Sequence, residues 1–98
     1  MNITKQQNGS ELNVALEGRL DTTTAPQLEA ELKPALEGIT KLTFDFSKLE
    51  YISSAGLRVL LASQKIMKKQ GSMVIKNVNE TVKEVFDLTG FSDILTIE

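Results

Sequence analysis

Two apolar periodicities take turns along this chain, and their alternation decides what it can fold into. Leu42, Phe44 and Phe46 repeat at every second residue, the spacing of a strand with one buried face, and predict a strand over Lys41 to Phe46. After a short loop, Leu57, Leu60, Leu61, Ile66 and Met67 follow a helical spacing, with Gly71 placed to cap that helix. Met73 to Val78 returns to strand character. Upstream, Asn2 to Gln7 alternate weakly, Asn8-Gly9 favours a tight hairpin turn, and Leu12, Val14 and Leu16 share one face of a strand over Glu11 to Glu17.

The segment between these strands, DTTTAPQLEAELKPALEG, carries Leu28, Leu32 and Leu36 at four-residue spacing, the stripe of an amphipathic helix. Thr24 and Gln27 have the TxxQ pattern of a capping box, although Pro26 biases Ala25 away from helical angles. Pro34 removes a backbone donor and crowds the preceding turn, which predicts a kink near Lys33 or a stop and restart before Gly38. Near the end, Asn79 is placed to cap a helix bearing Val82, Val85, Phe86 and Leu88, Gly90 to end it, and Ile94 to Ile97 to form a last strand.

The predicted order is therefore ββαβαβαβ. Strands that alternate with helices must pair largely in parallel, because each right-handed crossover lays its helix on the sheet. The expectation is an α/β fold: one domain over residues 1–98, with a mixed four- to five-stranded sheet and helices packed against it. An apolar share of 41% is ordinary for such a domain.

Composition narrows the chemistry. The chain has no His and no Cys, so the usual general base, the usual nucleophile and the commonest metal ligands are missing together. Neither GxxxxGK[ST] nor GxGxxG occurs, which leaves nucleotide hydrolysis and dinucleotide binding without a motif. Carboxylate pairs such as Glu29 and Glu31, or Glu80 and Glu84, fall on helix surfaces that solvent explains. No enzymatic activity, cofactor or metal is expected. A net charge of −2 speaks against direct nucleic-acid binding. The basic cluster Lys65, Lys68 and Lys69 lies at a helix C-terminus, where it complements the helix dipole. The first residues lack the apolar core of a signal peptide, and no apolar run reaches membrane-spanning length. Together with the absence of cysteine, this predicts a soluble cytoplasmic protein without membrane insertion, a monomer by default.

Ser53 and Ser54 stand where the second helix begins. A hydroxyl there is beside unpaired backbone amides and the positive end of the helix dipole, so it either caps the helix or accepts a phosphate. Ala55 and Gly56 leave that turn without bulk, open to the close approach of a partner surface. Leu57 faces either the core or that partner. Arg58, at i+4 from Ser54, either pairs with a phosphate or an acidic partner residue or is simply solvated.

The string KLTFDFSKLEYISSAGLRVLL resembles the signature of the anti-sigma factor antagonist family, the bacterial STAS domain. GRLDTTTAPQLEAEL is similar to that family's loop and first helix, and GSMVIKNVNETVKEVFDLTGFSDIL to its fourth strand, third helix and closing segment. The resemblance implies a bacterial binding protein that sequesters an anti-sigma factor and releases a sigma factor to join RNA polymerase. It further implies a partner that is a serine kinase, a PP2C-like, metal-dependent phosphatase that reverses the mark, and Ser54 as the phosphate acceptor. The family's aspartate before the acceptor is Ser53 here, which makes Ser53 an alternative acceptor. Asp21 matches the family's loop aspartate, and the implied partner surface joins Asp21, Thr22, Thr23, Ser53, Ser54, Gly56, Leu57 and Arg58. The alternative is a STAS-like accessory subunit of a membrane transporter complex with no phosphorylation cycle.

Overall fold

The computed structural model describes residues 1–98. Strand β1 spans Asn2–Asn8 and β2 spans Glu11–Leu20, joined by a two-residue turn in which Gly9 takes φ 63°. Helix α1 follows over Ala25–Ala35, then β3 over Lys41–Ile52, α2 over Ser54–Gln70, β4 over Ser72–Lys76 and α3 over Glu80–Thr89. A short 3-10 turn at Phe91–Asp93 leads to the C-terminus. The sheet order is β1-β2-β3-β4, with the hairpin antiparallel and the other two pairings parallel.

Because the parallel strands advance in one direction across the sheet, right-handed crossovers place the helices on the same face. Burial follows that geometry. Leu12, Val14, Leu16, Leu42, Phe44, Phe46, Met73 and Ile75 point under the helices and are buried, while Asn13, Glu17, Ser72 and Lys76 on the opposite face are exposed. Leu28 and Leu32 of α1, Leu36 at its C-cap, and Leu57, Leu60 and Met67 of α2 close the core from above. Burying one such leucine contributes roughly 1.5–3 kcal/mol.

Several local expectations change. Thr24 does not build a capping box: its backbone is already helical, and its Oγ1 accepts from the Asp21 amide at 2.8 Å and donates to the Arg19 carbonyl at 2.8 Å. Pro34 sits in the last turn of α1, so the helix ends at Ala35 without restarting. Strand β3 continues six residues beyond Phe46, to Ile52, because register shifts against β2 interrupt the period-two pattern while Leu49 and Ile52 stay buried. The expected last strand is reduced to one parallel bridge between Ile97 and Ile75. Ile94 caps the 3-10 turn with a helical backbone, 47% exposed, and so joins no ladder.

Two glycines act by different means. Gly90 adopts φ 80° and ends α3 in the left-handed conformation. Gly71 is extended, and its role is close approach: a Cβ there would lie 1.8 Å from the Thr40 carbonyl oxygen.

Candidate functional site at the N-terminus of the second helix

Parallel pairing of β2 with β3 brings Leu20 opposite Ile52, so both strands end at the same edge and release their loops side by side. The Ser53 amide donates to the Leu20 carbonyl at 2.9 Å and fastens those loops together. Functional loops collect at this end of parallel strands because the chain leaves the sheet there.

The first loop is organised by Asp21. Its Oδ1 accepts from the Thr23 amide at 3.0 Å, the Thr23 hydroxyl at 2.7 Å and the Thr24 amide at 3.2 Å. The Thr23 hydroxyl bond, with the backbone amides adding to it against partial desolvation, holds the carboxyl below its ordinary value, so it is ionised at neutral pH. Oδ2 lies 4.0 Å from Arg19 Nε. The Arg19 guanidinium also rests over the Tyr51 ring, 4.6 Å from its centroid. Thr22 and Thr23 are exposed beside this carboxylate.

In the second loop the two serines separate. Ser53 is the N-cap residue in extended conformation, but its hydroxyl makes no capping bond and is enclosed without a partner. Ser54 is the first residue of α2 and is exposed. The amides of Ser54, Ala55 and Gly56 find no acceptor in the protein, leaving an uncapped, electropositive first turn next to the exposed hydroxyl.

Gly56 does not leave room for a partner. It is buried, and a Cβ there would come 2.7 Å from Leu20 Cγ and 2.8 Å from Ile52 Cγ1, so its function is to seat α2 on the sheet. Leu57 is likewise inside, 3% exposed, which settles its orientation toward the core. Arg58 is exposed and has no ion-pair partner within the chain.

The structure therefore brings Asp21, Thr22, Thr23, Ser54 and Arg58 together at one end of the sheet, with the Ser53 hydroxyl enclosed beneath them. Thr22, Ala55 and Arg58 line a shallow groove with Ala25 and Pro26 of α1, which residue spacing alone did not indicate. Arg19 and Tyr51 are further neighbours that only the parallel register reveals. No three acidic side chains converge as a metal site, and no helix is long and apolar enough to cross a membrane.

A family model described as "Mlab, STAS domain" matches residues 3–96. The anti-sigma-B factor antagonist of Bacillus subtilis is 34% identical over 98 residues, covering 99% of this chain and 90% of that protein. Among solved structures, an anti-sigma factor antagonist from Mycobacterium paratuberculosis superposes with a TM-score of 0.88 at 22% identity, covering 98% of this chain and 83% of that one. The Bacillus cell fate determinant SpoIIAA in its phosphorylated form superposes at 0.77 with 19% identity, covering 99% and 91%. Taken with the α/β order and the matched length, these likenesses establish that the chain belongs to the STAS-domain family of anti-sigma factor antagonists.

Proposed function

We propose that this chain binds an anti-sigma factor and that phosphorylation of Ser54 by that partner, a serine kinase, switches the binding off. The observation that carries the reading is the exposed Ser54 hydroxyl at an uncapped helix start. A kinase can reach it, and unpaired amides stand ready to receive the product. The enclosed hydroxyl of Ser53 argues for Ser54 as acceptor although both share one helix start. Residues 1–98 act as a single STAS domain, working in the cytoplasm as a monomer, and a PP2C-like phosphatase restores the bare serine.

The switch is electrostatic. A phosphate adds about −1.5 to −2 charges. At the N-terminus of α2 it is stabilised by roughly 0.3–2 kcal/mol, so the fold survives modification. Against a docked partner the same dianion loses hydration and displaces contacts; a cost of about 4 kcal/mol weakens binding roughly a thousandfold. No conformational change is needed.

The test is incubation with ATP and the kinase, followed by intact mass. The wild type gains one phosphate and Ser54→Ala gains none. Modification of Ser54→Ala at an undiminished rate assigns the acceptor elsewhere and refutes the reading.

A further inference from the structure

Helix α2 carries Arg58, Lys65, Lys68 and Lys69 and no acidic residue, in a chain whose net charge is −2. All four cations are exposed, and none has an ion-pair partner within the chain. Dipole compensation accounts for Lys68 and Lys69 in the last turn, but it fades within a turn and leaves Arg58, near the opposite end, unexplained. At 3.6 residues per turn, Ser54, Arg58, Lys65 and Lys69 fall within about 60° of one another, one stripe running the length of the helix.

Beside that stripe runs an apolar groove between α1 and α2. Ala25, Leu32, Leu36 and Val59 are buried at its floor, and its accessible apolar edge is Pro26 of α1 with Ala55, Ala62 and Ile66 of α2. The upper and lower parts share Glu29, Val59 and Ala62, so the groove is continuous from the Ser54 end toward the C-terminal turns. The rims differ in charge. On α1, Glu29 and Lys33 face each other at 4.0 Å and neutralise one another, whereas on α2 Arg58 lines the groove and Lys65 and Lys69 stand on the solvent face next to it with no acidic neighbour on the helix.

We propose that this groove continues the Ser54 docking surface and receives an acidic amphipathic helix of the partner. Its apolar side chains lie along the crease over Pro26, Ala55, Ala62 and Ile66, and its carboxylates meet Arg58, Lys65 and Lys69. The inference rests on the reading of Ser54 for the partner's identity, and on the groove alone for its chemistry. The apolar floor favours a helix over a polyanion, and the face has no aromatic side chain on which a nucleobase would stack. Arg58 also gives the switch a second means of action. A phosphate on Ser54, one turn away, takes this guanidinium from the partner's carboxylate as well as repelling it.

The groove is tested by titrating the isotope-labelled chain, observed by NMR, with a synthetic helical peptide that has leucines on one face and glutamates along one flank. Amide shifts are expected at Arg58, Ala62, Lys65, Ile66 and Lys69, and are lost in Lys65→Glu/Lys69→Glu, whose exposed positions leave the fold intact. Equal shifts with polyglutamate, or shifts centred elsewhere, overturn the proposal. For the kinase itself, the same double variant binds about tenfold or more weakly. If Ser54 is phosphorylated and the double variant binds the kinase as the wild type does, the groove proposal fails and the switch stands. If the peptide binds but no kinase modifies Ser54, the switch fails and the groove stands.

Discussion

The Ser53 amide is hydrogen-bonded to the Leu20 carbonyl at 2.9 Å, and this single bond sets the loop of Asp21 beside the start of α2. Directly above it, Gly56 packs against the Leu20 and Ile52 side chains with no space for a methyl group. Gly56→Ala gains helix propensity yet forces Leu20 and Ile52 apart, and overpacking of this kind costs about 1–3 kcal/mol. A urea titration is expected to show a lower midpoint with an unchanged slope. Gly71→Ala destabilises more, because its methyl group meets the rigid Thr40 backbone instead of side chains.

Asn79 ties α3 down twice: Oδ1 accepts from the Val82 amide at 2.8 Å and Nδ2 donates to the Leu49 carbonyl at 2.7 Å. Asn79→Ala loses a cap worth about 0.5–2 kcal/mol and leaves a carbonyl in the late part of β3 short of a donor. Hydrogen exchange at Val82 is expected to accelerate more than exchange at Leu60 in α2. Equal acceleration at both would mean that the loss is global.

Two carboxylates contribute to the acid limb of stability. Asp21 is held below its ordinary value of 3.8 first by the Thr23 hydroxyl, and Asp45 first by the Asn77 side chain, with the Ser47 amide next. Depressed values mean that the unfolded chain binds more protons than the native one below the ordinary carboxylate range. Their stabilisation is present above pH 3.8 and is lost as pH falls through the lower native values. Asp21→Asn and Asp45→Asn therefore each flatten the decline below about pH 4 without steepening it at neutral pH. Chemical denaturation across that range reads the slope; an undiminished slope in both variants contradicts the assignment.

Local chemistry made much of the fold legible. The leucine stripe of α1, the Asn79 cap and Gly90 each act over a few residues, and the structure keeps them where periodicity places them. The late part of β3 was hidden because its shifted register exchanges the alternation for Leu49 and Ile52. Gly56 reads in the sequence as open to a partner, and Leu57 as facing either way, for another reason: the helix is apolar over more than one stripe, and only the positions of Leu20 and Ile52 decide which side turns inward. The same holds for the serines. Both occupy one helix start, and what separates them is enclosure by neighbouring parts of the chain, which no local pattern encodes.

Ser54→Ala removes an exposed hydroxyl that makes no hydrogen bond in the protein, so its stability is expected to stay within about 0.5 kcal/mol of the wild type. That makes it a clean control for phosphorylation. A larger loss in denaturant would show that the hydroxyl supports the helix.

The most direct measurement is the affinity of the kinase for the unmodified chain and for the chain phosphorylated on Ser54, taken alongside the unfolding free energy of both. An electrostatic switch at Ser54 predicts a roughly thousandfold weaker complex, with unfolding free energy unchanged or slightly raised by the phosphate. Equal affinity for the two forms, or a phosphorylated chain that has lost its fold, would contradict it.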